Sequence, residues 1–257
     1  MVESSDVPFE ILNDDGAGPA VIVCEHASNH IPARYRGLGL EPAALESHAA
    51  WDPGAEAVAR RLSRVLDAPM IAGRVSRLVY DCNRPPDAAS AVPQQTEDIE
   101  VPGNAGLGSA DRAARVQAVY EPFINALEGL LDRRSRVKTP FALVTVHSFT
   151  PTWFGQPRAV EIGLLHDDDS RLADAMLARA EGIATRRTER NAPYGPADGV
   201  THTLQRHGLA RGLPNVMIEI RNDLITTAAE QDAIAQELLA LLVPALFGVA
   251  RSEVHDG

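Results

Sequence analysis

Side chains that can do chemistry stand at the ends of several apolar runs in this sequence. Four runs end in such groups: Glu25 and His26, residues 81–84, His147 and Ser148, and residues 219–222. In sheets of mostly parallel strands, ligands bind beyond the carboxyl ends of the strands, so we expect these side chains to lie close together. Histidine together with carboxylate suits zinc, which in catalytic sites has three protein ligands and an open position for water. The pattern predicts a metal site with hydrolytic chemistry.

A carboxylate beside such a metal can take a proton from water and pass it to a leaving amine. Glu219 is the predicted catalytic residue for this step. The alternative is a structural ion pair with Arg221, which lies two residues further along and therefore on the same face of the strand. The sequence pattern leaves both interpretations open.

The elements that must position these residues follow from the hydrophobic pattern. Continuous apolar runs predict buried strands at 20–25, 69–72, 77–81, 141–146, 160–165 and 215–220. The segments between these apolar runs show helical periodicity. Alternating strands and helices predict an α/β fold, with a mostly parallel sheet covered by helices on both faces.

Helix boundaries can be read from capping and proline signals. Asp52 is a candidate N-cap followed by Pro53 at the first helical position. A second helix is predicted over 109–134, with a kink at Pro122, and a third over 169–181. The last helix is predicted to start at Thr227, where Glu230 completes a capping box.

Composition excludes several classes of protein. The chain has 257 residues, a net charge of −11 and 45% hydrophobic residues, which argues for one globular domain over 1–257 and against nucleic acid as a partner. No run of about 18 apolar residues and no secretory signal are evident, so we expect a cytoplasmic protein without a membrane role. Cys24 and Cys82 are expected to be free buried thiols. Residues 85–108 are predicted to form a loop near the site.

Six sequence blocks together resemble the N-formylglutamate amidohydrolase family. They read CEHASNHIP, AAWDPGA, RVSRLVYDCNRPP, VTVHSF, NAPYGPADG and VMIEIRNDLI, and the match covers about residues 8 to 245. The resemblance implies hydrolysis of N-formyl-L-glutamate to formate and glutamate in histidine catabolism. The order of the blocks is also similar to zinc carboxypeptidases. This implies a three-layer α/β/α sandwich of the phosphorylase/hydrolase-like type with one catalytic Zn²⁺, although another divalent metal would also fit.

The resemblance implies two metal ligands and leaves the third open. His26 and His147 occupy the two histidine positions, but Asn29 stands where the carboxypeptidase pattern has glutamate. Asp52 is the favoured third ligand. Its structural role as a helix cap does not exclude this, since one oxygen can cap while the other meets a metal. Glu25 is the alternative, provided that the strand ends before it.

Arginine is the expected partner of an anionic N-acyl amino acid, because its planar fork binds a carboxylate through two hydrogen bonds. Asn83 and Arg84 resemble the carboxylate-binding pair of the carboxypeptidases. Arg221 and Arg77 are further candidates. Asp81 is expected to orient Arg84 or a ligand histidine, and Tyr194 is a candidate for the pocket wall.

Two other functions remain compatible with the sequence. The same site could act on another N-acyl amino acid or a peptide, since the loops that shape the pocket cannot be folded from the pattern. A non-catalytic anion-binding protein of the same fold is the third possibility. The sequence contains neither a phosphate-binding glycine loop nor a G-x-S-x-G nucleophile elbow, which argues against phosphate chemistry and serine hydrolases.

Overall fold

A seven-stranded mixed sheet forms the centre of the molecule. The structure, a computed structural model, describes residues 7–137, 139–183 and 185–255. The strands are β1 Phe9–Leu12, β2 Ala20–Cys24, β3 Met70–Gly73, β4 Gln95–Thr96, β5 Ile99–Glu100, β6 Ala142–Phe149, β7 Thr152–Trp153, β8 Gln156–Pro157, β9 Ile162–Leu165, β10 Thr188–Arg190 and β11 Asn215–Arg221. The order in the central sheet is β1-β3-β2-β6-β11-β9-β10, and β4-β5 and β7-β8 form two small hairpins.

The four strands in the middle of the sheet are parallel. β3, β2, β6 and β11 run the same way, whereas β1 is antiparallel to β3 and β9 is antiparallel to β11. The carboxyl ends of the four middle strands therefore meet at one edge, as the sequence predicts. All residues of β2 and β6 are buried, which is the usual state of parallel strands covered on both faces.

Helices cover both faces of the sheet, so the fold is the predicted three-layer α/β/α sandwich. The helices are α1 Pro42–Glu46, α2 Ala55–Leu66, α3 Ser109–Arg115, α4 Glu121–Arg136, α5 Arg171–Ile183 and α6 Ala228–His255. α2, α5 and α6 bury their apolar side chains on one face, against Ile22, Val144 and Ile218 among others. α4 and the loops around it cover the other face, against Val21, Val23 and Leu143. Side chains alternate between the two cores along each strand.

The predicted strand at 77–81 is wrong. These residues form turns, although Leu78, Val79 and Tyr80 are buried in the core on the α4 side. Their backbone groups bond to loops and not to a neighbouring strand: the Leu78 carbonyl accepts from Asn104, and the Asp81 amide donates to the Ala91 carbonyl. An apolar run indicates that residues are buried, but not that they form a strand. Here the backbone groups hydrogen-bond to loops outside the sheet.

The helix ends agree only in part with the sequence signals. Thr227 and Glu230 form the expected capping box, with the Thr227 amide 2.8 Å from Glu230 Oε2. Pro122 lies in the first turn of α4, directly after a π-helical turn at Val116–Tyr120. Asp52, however, is not the N-cap of α2. Gly54 holds that position with a φ of 80°, and an added Cβ would lie 2.5 Å from the Ile225 carbonyl oxygen.

One helix is long and apolar enough to cross a membrane by length and composition. This is the stretch Ala228–Ala250 of α6, with a mean hydropathy of 1.9. Its apolar residues pack in the core shared with α2 and α5, including Ile234, Leu238 and Leu242. A helix that lies against other elements of a globular fold in this way passes the same test, so the hydropathy gives little support for a membrane span.

Candidate active site

Three buried side chains converge at the carboxyl edge of the sheet. His26 follows β2, His147 lies in β6, and Asp52 lies in the segment that leads into α2. Oδ2 of Asp52 is 3.2 Å from Nδ1 of His26 and 2.9 Å from Nδ1 of His147. The two Nδ1 atoms are themselves 3.2 Å apart. Each residue is at most 3% exposed.

This arrangement fits a divalent metal ion. Ligand atoms about 2.1 Å from an ion at tetrahedral angles are about 3.4 Å from one another, close to the three distances observed. His26, Asp52 and His147 each offer one donor atom to a common point. Two imidazoles and one carboxylate are a donor set that zinc and similar ions bind, with a further position left for water.

A second carboxylate stands behind each histidine ring. Nε2 of His26 is 2.7 Å from Oδ1 of Asp81, and Nε2 of His147 is 3.2 Å from Oε2 of Glu25. Such carboxylates fix the ring orientation and the tautomer of a metal-binding histidine. β2 does end before Glu25, at Cys24, but the side chain lies on the far side of His147 from Asp52. Glu25 is therefore placed to support His147, while Asp52 faces both histidines.

The charges within the cluster shift the pKa values of Asp52 and His147. Burial alone raises the pKa of Asp52, yet His26, His147 and Arg77 hold it well below its usual range. Burial lowers the pKa of His147, but Glu25 and Asp52 together raise it well above the ordinary value. Arg77 donates to Oδ1 of Asp52 at 3.1 Å and to Oδ2 of Asp81 at 3.4 Å. The guanidinium thus ties the two carboxylates together.

Glu219 lies on the same face of the sheet as His147. β11 and β6 are parallel and in register, with Glu219 opposite His147. Glu219 is 6% exposed, and burial raises its pKa to about 7. Within the described residues its Oε2 has no hydrogen-bond partner. Arg221 instead pairs with Asp223 at 2.8 Å, so the structure contains no ion pair between Glu219 and Arg221.

A cavity of about 360 Å³ opens over these residues. Its walls include the three converging residues and Glu219, together with Arg77, Asp81, Asn83 and Arg84. The 85–108 segment contributes Ser90, Pro93, Gln95, Thr96 and Glu97, so the predicted loop does border the site. Tyr194 lines the cavity as well.

The two residues of the Asn-Arg pair have different surroundings. Asn83 donates to the Val200 carbonyl at 2.6 Å and accepts from the Thr203 amide at 3.0 Å, so its side chain holds the 200–203 segment beside the cavity. Arg84 donates to the Asn83 carbonyl at 2.8 Å. In the part of the chain that the structure describes, Arg84 forms no ion pair with a carboxylate.

Arg221 does not line the cavity. Its guanidinium donates to Asp223 and to the carbonyl of Arg158, and Glu161 lies 3.8 Å away. The two-residue spacing from Glu219 places Arg221 at the end of β11, where the strand leaves the sheet. The two-residue spacing does not show that Asp223 and Glu161 lie closer to the guanidinium of Arg221 than the cavity does.

Sequence reasoning assigned no role to three residues of the site region. His48 lines the cavity, with Nδ1 3.6 Å from Oδ1 of Asp52, and burial lowers its pKa to about 4. Thr203 donates from Oγ1 to Oε1 of Glu25 at 2.5 Å. Arg158 stacks on aromatic side chains at the cavity wall. The Thr203–Glu25 and Arg158–Tyr194 contacts join residues far apart in the sequence, and no local motif signals them.

Known structures of similar sequence share this fold over almost the whole chain. A crystal structure of a gene product from Agrobacterium tumefaciens is 51% identical, covers 97% of this chain and 98% of its own, and superposes with a TM-score of 0.94. N-formylglutamate amidohydrolase from Ralstonia eutropha JMP134 is 19% identical, with 96% and 99% coverage and a TM-score of 0.69. The second match shows the same fold.

More distant likenesses carry less weight. A metallo-carboxypeptidase from Burkholderia cenocepacia is 9% identical with a TM-score of 0.39, covering 94% of this chain and 61% of its own. No protein with a curated description matches the sequence.

The family itself is defined by a sequence model. The model for N-formylglutamate amidohydrolase matches residues 18–226, a span that contains every residue described in the cavity wall. The sequence blocks that resemble this family are the segments that the fold brings to one edge of the sheet. The chain belongs to the N-formylglutamate amidohydrolase family.

Proposed function

We propose that this protein is a metal-dependent amidohydrolase that cleaves N-formyl-L-glutamate, or a similar acidic N-acyl amino acid, to formate and the free amino acid. The observation that carries the proposal is the convergence of His26, Asp52 and His147 on one point beside the buried Glu219. Family membership supports the reaction class. The geometry of the site supports the assignment of these residues to the reaction.

His26, Asp52 and His147 would hold the ion, most simply Zn²⁺. When bound, the ion supplies Lewis-acid polarisation of the amide carbonyl and makes water acidic enough to ionise near neutral pH. Asp81 accepts a hydrogen bond from Nε2 of His26, and Glu25 lies 3.2 Å from Nε2 of His147. Each carboxylate favours the proton on Nε2 of its ring and leaves Nδ1 unprotonated for the ion.

Glu219 moves the proton in this mechanism. Its carboxylate takes a proton from the attacking water and returns it to the nitrogen of the departing amino acid. A group that must first accept and then donate works best with a pKa near the operating pH, and burial places that of Glu219 at about 7. Its Oε2 has no partner among the residues that the structure describes, so this oxygen is available for water or substrate.

Arg84 is the residue proposed to bind a substrate carboxylate. It lines the cavity, and the Asn83 carbonyl fixes one arm of the guanidinium. Asn83 positions the adjoining 200–203 wall and has a second amide hydrogen for the substrate. Arg77 neutralises Asp52 and Asp81 and can offer a remaining N–H to the amide carbonyl.

The reaction fits a cytoplasmic enzyme of histidine catabolism. The two cysteines are free and buried, as expected for a reducing compartment. The alternative substrates are other N-acyl amino acids and short peptides, and a cavity of about 360 Å³ admits a small one more readily than a peptide.

The test is release of the free amino acid, the product common to every substrate of the panel, by the purified protein reconstituted with Zn²⁺. The panel contains N-formyl-L-glutamate, N-acetyl-L-glutamate, N-formyl-L-leucine and a dipeptide at equal concentrations. We expect the highest kcat/KM on N-formyl-L-glutamate and loss of activity on chelation. Preference for the dipeptide, or no turnover of any formyl substrate, would reject the proposal.

A further inference from the structure

Arg158 lies in a cage of three aromatic rings. Its guanidinium carbon is 4.7 Å from the centre of the Tyr194 ring, 4.9 Å from that of Trp153 and 5.6 Å from that of Phe149. Stacked rings hold a guanidinium by its face through cation–π attraction. The N–H groups on its edge form the fork that matches a carboxylate.

The positive charge of Arg158 has no protein counterion in the described part of the chain. Across the described ranges 7–137, 139–183 and 185–255, Arg158 forms no ion pair with Asp or Glu. Its side-chain contacts to Thr150 are long, at 3.4 Å from both the carbonyl oxygen and Oγ1. Arg221, by contrast, is paired with Asp223. A half-buried arginine in aromatic surroundings without a carboxylate is poised to bind an anion.

Two of the three rings of the cage belong to the wall of the catalytic cavity. Trp153 and Tyr194 line the same space as Glu219 and His147. Arg158 comes from the β7-β8 hairpin, whereas Arg84 comes from the loop after β3.

The charges of the cavity call for a second cation if the substrate carries two carboxylates. Arg77 and Arg84 are the arginines that line it. Arg77 is already balanced by Asp52 and Asp81, and Glu97 and Asp198 add negative charge to the wall. Arg84 alone can neutralise one carboxylate of the substrate.

We propose that Arg158 binds the side-chain carboxylate of the substrate while Arg84 binds its α-carboxylate, so that Arg158 selects N-acyl derivatives of acidic amino acids. The inference rests on the proposed function, since it assigns the substrate specificity of the same cavity. Arg158 is a specificity-determining residue that touches the substrate away from the reacting bond.

The test compares Arg158→Met with wild type on matched substrates. N-formyl-L-glutamine has the same shape as N-formyl-L-glutamate without the side-chain charge, and N-formyl-4-aminobutyrate keeps that carboxylate but lacks the α-carboxylate. We expect kcat/KM to fall roughly 10- to 100-fold on N-formyl-L-glutamate, the loss of a charged hydrogen bond. It should fall by a similar factor on N-formyl-4-aminobutyrate and by less than about threefold on N-formyl-L-glutamine.

Arg187→Met is the control for a lost surface arginine, because Arg187 is exposed and pairs with Glu189. Arg158→Lys keeps the charge and should recover part of the activity on N-formyl-L-glutamate. Equal losses on the glutamate and glutamine substrates would mean a structural role and would overturn the assignment. A loss that appears only with substrates bearing an α-carboxylate would overturn it as well.

Binding of the product separates this inference from the proposed function. Calorimetry with L-glutamate and L-glutamine needs no turnover. If wild type fails to release formate but binds L-glutamate more tightly than Arg158→Met does, the proposed reaction is rejected and the assignment of Arg158 stands. If Arg158→Met binds L-glutamate as tightly as wild type, the assignment is overturned whatever the reaction.

Discussion

The Nδ1 atoms of His26 and His147 lie 3.2 Å apart, although 121 residues separate the two histidines in the sequence. In both rings Nδ1 faces Oδ2 of Asp52. Nε2 of His26 faces Asp81, and Nε2 of His147 faces Glu25. The parallel pairing of β2 with β6 brings the two strand ends together. Asp81 and Glu25 then determine that the Nδ1 side of each ring faces the cavity.

The hydrogen bond from Thr203 to Glu25 should support metal affinity. Thr203→Val removes the Oγ1 donor and keeps the shape, so the Glu25 carboxylate loses the group that holds it against His147. We expect the affinity for Zn²⁺ to fall roughly 10- to 100-fold, the usual effect of removing such support. Competition with a chromogenic chelator measures it.

Thr201→Val is the matched control for that experiment. Thr201 is also buried and also donates to a carboxylate at 2.5 Å, but its partner is Asp167, which does not line the cavity. Thr201→Val should leave Zn²⁺ affinity within about threefold of wild type. Equal affinities of Thr203→Val and wild type would refute a role for Glu25 in orienting His147.

Glu219→Gln should abolish proton transfer without removing the metal. The substitution keeps the size of the side chain and removes its base, so kcat should fall about 10²- to 10⁴-fold. The Zn²⁺ content should stay at the wild-type level because Glu219 lies outside the three converging residues. Turnover close to wild type would contradict the assigned role, and metal loss would instead make Glu219 a ligand.

His207 should make stability depend on pH. It is fully buried, neither ring nitrogen has a partner among the described residues, and burial lowers its pKa to about 3. The unfolded chain takes up a proton below about pH 6.5 and the folded chain does not. This contribution to stability is therefore full above pH 6.5 and is lost progressively down to about pH 3.

Denaturant unfolding of the metal-free protein at pH 7 and pH 5 tests this. His207 should account for up to about 2 kcal/mol of the stability lost between the two pH values. In His207→Phe, which cannot take up a proton, the loss should be smaller by that amount. An identical loss in both proteins would show that His207 is protonated in the folded state.

Two glycines should respond in opposite ways to alanine. At Gly73, the end of β3, an added Cβ would lie 2.0 Å from the Glu25 carbonyl oxygen, so Gly73→Ala should destabilise the protein by about 1–3 kcal/mol. Gly182 in α5 has open space, and Gly182→Ala should stabilise it by up to about 1 kcal/mol. Thermal unfolding measures the direction of the stability change in each variant. A Gly73→Ala variant as stable as wild type would mean that the end of β3 can move.

The sequence was informative where function depends on strand ends and less so where it depends on contacts between distant loops. Apolar runs and the residues after them predicted the convergence of His26 and His147 with a carboxylate. The same signal failed at 77–81, because burial does not require a strand. Thr203 was missed since its partner Glu25 comes from a distant part of the chain. Arg158 was missed since the charge balance that isolates it exists only in the folded protein.

Metal analysis of the purified protein tests the central claim most directly. After equilibration with Zn²⁺ and dialysis, the wild type and His30→Ala, an exposed histidine in the same loop as His26, should each retain about one ion per chain. Asp52→Ala and His147→Ala should retain less than about a tenth of that at the same free metal concentration. Wild-type protein without bound metal, or Asp52→Ala with a full complement, would contradict the account.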